Sequence, residues 1–92
     1  MAVPLNIAIT MPDGSVVQVG TSNDAQEAIR FTFNPSGLPR VAILKALAAA
    51  FLTECDRTHI EVPAAGRELA VAKTNMQTAS MWAVLGATKG AP

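Results

Sequence analysis

The sequence predicts a mainly α-helical, oligomeric chain: a short N-terminal β-hairpin and a short helix, then an antiparallel two-helix hairpin. Three observations carry this. Alanine is dense over residues 42–50 and again over 64–91, which favours helix. Leu69, Ala72, Met76, Ala79 and Ala83 recur at three- and four-residue steps, the spacing of one helical face. Half of the 92 residues are hydrophobic and only 15% are charged. A chain of this size buries a thin core, so such an apolar balance points to association between copies.

The elements follow in order. In VPLNIAIT, residues 3–10, Leu5, Ile7 and Ile9 alternate with Asn6, Ala8 and Thr10, the two-residue period of a strand. Met11, Pro12, Asp13, Gly14 and Ser15 make a turn, with proline presetting φ and glycine taking the left-handed position. Val16, Val17, Gln18 and Val19 return as a second strand that Gly20 ends, completing a β-hairpin. A two-stranded pair is marginal alone in water, so it must rest on the helices, on its counterpart in another copy, or on a partner protein. Ser22 and Asp24 then support a short helix over residues 24–29. Arg30, Phe31, Thr32 and Phe33 revert to an alternating, β-prone pattern.

Asn34, Pro35, Ser36, Gly37, Leu38 and Pro39 form a turn segment whose prolines hold Asn34 and Leu38 extended. Pro39 suits a first helical turn, where its missing N–H does no harm. The first long helix runs from there to Asp56 or Arg57. Its main apolar face is Val41, Leu44, Ala48, Phe51 and Leu52, widened by Ile43, Leu47 and Ala50, and Lys45 is the one charge within residues 41–52. Residues 58–63 connect it to the last helix, residues 67–88, which contains no proline. Ala72, Ala79, Ser80, Ala83 and Gly86 make one face of that helix small enough for a close neighbour. Met81, Trp82 and Leu85 make a second, bulkier apolar face. A lone helix cannot bury both, so other copies of the chain are expected to cover part of it. The short connector packs the two long helices antiparallel. Residues 1–30 are the N-terminal β-hairpin and short helix, and residues 31–92 the helical core, one domain overall.

Composition excludes several function classes. Net charge is zero, and residues 30–92 hold all seven basic residues against four acidic ones. That bias is too weak for a DNA or RNA binder, but it suits a small anion held by a few cations. Cys55 is the only cysteine, so no intrachain disulfide forms and a reducing compartment fits. Cys55 and His59 lie four residues apart, but two ligands do not make a zinc site; no metal and no cofactor is expected. Residues 1–10 lack the pattern of a signal peptide, and the longest apolar run, residues 41–52, is too short to span a membrane. No catalytic set is visible. There is one histidine and no Gly-rich phosphate loop. The carboxylates at positions 54, 56, 61 and 68 read better as a solvated face than as an acid–base pair. The chain is read as a non-enzyme.

Two groups remain as candidate anion sites. Lys45, on an otherwise apolar helix, must either snorkel to water or meet a negative group. Phe31 and Phe33 precede it; in an extended stretch only one points inward to a core, and the outward ring is a stacking platform for a base. Arg67, Lys73 and Thr74, in the first two turns of the last helix, offer either a phosphate site at a helix start or a solvated basic side.

FTFNPSGLPRVAILKALAAAFL, followed by RELAVAKTNMQTASMWAV, resembles the phage anti-CBASS family of small cyclic-oligonucleotide sponges over about residues 31–89. The specific parts are the FNPSG segment, the ILKALA start of the first long helix and the AKTNMQTASMWAV run of the second. The resemblance implies compact helical homohexamers in the cytoplasm of the infected host. These bind and sequester cyclic di- and trinucleotide messengers of bacterial antiviral defence without cleaving them, with no DNA, RNA or membrane partner. It further implies a dinucleotide held between paired protomers, with a ring near the chain start on a base and a lysine of the first long helix on the phosphates. Lys45 takes that lysine's place. The family's tyrosine has no counterpart in a chain without tyrosine, so Phe31 or Phe33 must replace it, beside Asn34, Pro35 and Ser36. For the trinucleotide pocket the match is Arg67, helped by Lys73 and Thr74. Two symmetry-related copies of one lysine and one ring would suit a ligand with two phosphates and two bases. Residues 3–20 lie outside the resemblance. A reading from another class needs only the apolar faces: a phage structural or interaction module that oligomerises through its helices and docks its hairpin on a partner.

Overall fold

The protein is seen in a computed structural model that describes residues 5–90. The expected strand start at residues 3 and 4, and Pro92, lie outside the described residues. Strand β1 (Asn6–Thr10) pairs antiparallel with β2 (Val16–Gly20), placing Ile7 opposite Val19 and Ile9 opposite Val17. Gly14 takes φ 89° in the connecting turn, and its N–H donates to the Met11 carbonyl at 2.9 Å. Asp13 Oδ1 accepts from the Ser15 hydroxyl at 2.6 Å and the Ser15 N–H at 2.9 Å, and these bonds hold its carboxyl below the usual range, the hydroxyl's contribution being the larger.

Helix α1 (Asn23–Ile29) starts at Ser22, whose Oγ accepts from the Ala25 N–H at 3.1 Å. It ends at Arg30, which lies in the left-handed region at φ 56° and ψ 50°. The Arg30 N–H donates to Glu27 O at 3.0 Å and the Phe31 N–H to Gln26 O at 2.9 Å, the double closure of a Schellman motif. The Phe33 N–H then turns back to Arg30 O at 3.0 Å. Residues 30–33 are therefore a tight turn, not the extended segment expected from their alternation. Closing the helix end satisfies its carbonyls, which an isolated strand would leave open.

Helix α2 (Pro39–Glu61) begins with its proline in the first turn after an extended Leu38. It runs a turn past the expected end at Asp56 or Arg57. Thr58 Oγ1 bonds back to Glu54 O at 2.7 Å, and Arg57 pairs with Glu54 at 2.7 Å, so the polar residues read as connector sit comfortably on the helix. Val62 breaks it at φ −128°, pushed out of helical geometry by Pro63. One 3-10 turn, Pro63–Ala65, leads into α3 (Gly66–Ala87). Gly66 allows a close approach: a Cβ there would lie 3.0 Å from His59 Nε2.

The two long helices form the expected antiparallel hairpin, with Asp56 facing Lys73 near the closed end and Val41 sharing a cleft with Val84 at the open end. The core is small: Ala25 and Ile29 of α1 meet Ala48, Ala49 and Leu52 of α2, with Met76 of α3 packed against them. The β-hairpin leans on α2 through buried Val19, and the Ser22 N–H donates to Thr53 Oγ1 at 3.0 Å. Much apolar surface stays open. Trp82 is 69% exposed and Met81 71%, and Ile43, Leu47, Phe51 and Leu85 are also exposed. The radius of gyration, 14.1 Å, exceeds the roughly 12 Å of a compact domain this long. Among the described residues no helix is long and apolar enough to cross a membrane.

Candidate functional site

The turn joining α1 to α2 is built from its own polar groups. Asn34 Nδ2 donates to Leu38 O at 3.1 Å, Ser36 Oγ donates to Asn34 Oδ1 at 2.8 Å, and the Leu38 N–H donates to Ser36 Oγ at 3.2 Å. Gly37, at φ 67°, lets the chain reverse before Leu38. The FNPSG segment is thus a rigid wall whose side chains hold one another.

Lys45 lies against this wall, one turn and a half into α2. It is only 7% exposed. Its Nζ donates to Arg30 O at 2.9 Å and to Phe33 O. Of the two fates open to it from sequence, the ammonium does not snorkel to water; neutral carbonyls receive it. Burial, and secondarily the Arg30 charge, push its pKa below that of a free lysine. Phe33 stands beside it, 53% exposed, with the Lys45 ammonium 5.5 Å and the Arg30 guanidinium 4.5 Å from the ring centroid, both within cation–π range.

Phe33 borders two clefts. The first, about 400 Å³, is lined by Phe33, Asn34, Pro35, Ser36 and Lys45, and closed by Val41 of α2 and Val84 and Thr88 from the end of α3. Among the described residues no carboxylate lines it. The second, also about 400 Å³, holds Phe31, half-buried, and Arg30, with Gln26, Glu27 and Thr32. An aromatic face, two cations and main-chain rigidity make this region fit for a flat, anionic ligand.

Arg67, Lys73 and Thr74 lie elsewhere. Along α3 they are roughly 15–30 Å from the Val84 and Thr88 end, at 1.5 Å per residue. Arg67 and Thr74 are exposed, and Lys73 Nζ is paired with Asp56 Oδ1 at 2.7 Å beside a cleft of about 180 Å³. The candidate residues thus fall into two places: five in one cleft with Phe31 next to it, and three at the far end of the hairpin. Sequence reasoning missed Arg30 and Thr88. Arg30 was signalled by its place directly before the two phenylalanines. Thr88 became visible only once the antiparallel register brought the end of α3 back beside Val41.

Nothing in these clefts resembles an activated nucleophile. Cys55 is buried, and burial, with Asp56 adding to it, pushes its thiol up, the reverse of a reactive thiolate. Among the described residues no three His, Cys, Asp or Glu side chains group as metal ligands.

Searches of curated proteins and of solved structures gave no significant match. A family model described as the Acb2/Tad1 hairpin domain matches residues 23–88, which span all three helices, and the chain belongs to that family, the anti-CBASS cyclic-oligonucleotide sponges.

Proposed function

We propose that this protein captures cyclic di- and trinucleotide messengers of bacterial antiviral defence in the host cytoplasm and holds them without cleaving them. The observation that carries this is the cleft where an exposed Phe33 ring meets buried Lys45 with no carboxylate among the described lining residues, Arg30 lying over the same ring from the adjoining cleft. At about 400 Å³ it lies toward the lower end of the roughly 300–1,000 Å³ of ligand pockets. It is half a site: a second copy related by a two-fold axis would supply the matching ring and cations for the second base and phosphate. The open apolar faces of α2 and α3 supply the surface for such pairing, and a homohexamer is the assembly we propose. Lys45, Phe33, Phe31, Asn34, Pro35 and Ser36 form the dinucleotide site. Arg67, Lys73 and Thr74 form the trinucleotide site. Lys73 must leave Asp56 to serve there, and an exposed pair of this kind is worth at most about 1 kcal/mol, which an incoming phosphate offsets.

The chemistry of the lining supports binding without cleavage. The Ser36 hydroxyl is donated to Asn34, Lys45 is engaged by carbonyls, and no described lining residue is a histidine or carboxylate that would activate water. Titration calorimetry with a panel of cyclic di- and trinucleotides tests the reading. Tight binding is expected, with the ligand recovered unchanged by chromatography. Phe33→Ala should weaken dinucleotide binding by about 1–3 kcal/mol, the worth of one base–aromatic stack. No heat with any member of the panel would instead favour an interaction module that uses the apolar helices, and recovery of linear ligand would indicate an enzyme.

A further inference from the structure

The family resemblance assigns one cation to the dinucleotide site, Lys45. The geometry gives that residue a second task. Two of the three donors of its ammonium go to the Arg30 and Phe33 carbonyls, which fix the 30–33 turn from behind. Arg30 is arranged the opposite way. Its main chain is pinned: the N–H goes to Glu27 O at 3.0 Å, and the carbonyl receives both Lys45 Nζ and the Phe33 N–H. Its side chain is exposed and, among the described residues, makes no hydrogen bond or ion pair, resting only on the Phe33 ring at 4.5 Å. Glu27, one turn earlier and in the same cleft, does not pair with it. Arg30 is also the one described non-glycine residue at positive φ, 56°, a position where glycine would serve the backbone better. A planar guanidinium with five donors thus sits on a fixed base, beside the exposed ring, in a cleft of about 400 Å³.

We propose that Arg30 is a ligand-contacting residue of this site, its guanidinium binding a phosphate of the nucleotide whose base stacks on Phe33. This rests on the sponge reading and deepens it. Lys45 holds the turn and contributes charge from within; Arg30 supplies the bidentate, directional contact. The guanidinium moves only from the ring it now covers to a phosphate oxygen at the ring's edge, and the exchange replaces a cation–π contact with a charge-assisted pair.

The test is calorimetry with cyclic di-AMP, cyclic GMP-AMP and cyclic tri-AMP on the parent chain and on Arg30→Gly, Arg30→Asn and Arg30→Lys. Glycine and asparagine both accept the left-handed backbone, so melting temperature is expected to hold or rise in Arg30→Gly, and the asparagine variant answers the question if the glycine one fails to fold. The expected result is a loss of about tenfold or more in dinucleotide affinity for glycine and asparagine, with a shallower salt dependence, and a partial recovery in lysine. A parent that binds and an Arg30→Gly or Arg30→Asn variant that folds and binds equally well overturns the Arg30 assignment alone. A parent that binds none of the three overturns the sponge reading, and this inference with it.

Discussion

The two ends of the α2–α3 hairpin carry similar cations in different settings. At the closed end the charges are already matched: Lys73 meets Asp56 and Arg57 meets Glu54, each at 2.7 Å and largely in water. At the open end Lys45 and Arg30 face carbonyls and a ring, with no described carboxylate paired to either. An incoming phosphate at the closed end gains only the difference between two ion pairs. At the open end it meets a cation whose desolvation is so far balanced by neutral groups alone, and its charge is answered in full. Counting basic residues would rank the ends as equals; their partners separate them.

The largest effect expected from this contrast is at Lys45. Lys45→Met keeps most of the stem but removes the ammonium from two carbonyls. Dinucleotide binding should disappear in calorimetry, and urea unfolding should lose about 2 kcal/mol. The matching change at the other end, Lys73→Met, should leave dinucleotide binding intact and cost less than about 1 kcal/mol. Equal losses at the two ends would break the comparison. Next in size, Arg67→Ala should weaken trinucleotide binding several-fold while sparing dinucleotide binding; a loss of both would show that the ends act as one site.

The smallest effect is a pH dependence with two opposite slopes. Because the folded-state pKa of Lys45 lies below its unfolded value, this group's contribution to stability is fully present above the unfolded lysine pKa of about 10.4 and is lost as pH falls through the folded value. Ligand affinity should run the other way. It declines as pH rises through that same lowered pKa, where the free protein loses the charge that a phosphate needs. Calorimetry on the parent chain and urea melts at pH values below about 10.4 would show both slopes, and in Lys45→Met, which is expected to bind no dinucleotide, the stability slope should flatten.

The fold was largely legible because its signals are local. The alternation of Leu5, Ile7 and Ile9, the Pro-Asp-Gly turn, and the prolines at 35, 39 and 63 punctuate the chain where the structure changes direction. The misreadings came where the signal is tertiary or ambiguous. Phe31 and Phe33 alternate like a strand, yet the turn they occupy is set by a left-handed arginine and by a lysine fifteen residues on. Thr58 looked like connector, but its hydroxyl can bond the preceding helical turn. For the site, residue types pointed to Lys45 and the phenylalanines. That the lysine would be buried against carbonyls, with Arg30 left exposed on the ring, could not be read from spacing, because it depends on how α1 closes over α2.

Native mass spectrometry of the protein mixed with a cyclic dinucleotide puts the central claim to its most direct test. The account predicts assemblies that retain one ligand for every two chains, and a released ligand of unchanged mass. Assemblies that retain none, or a released ligand heavier by one water, would contradict it.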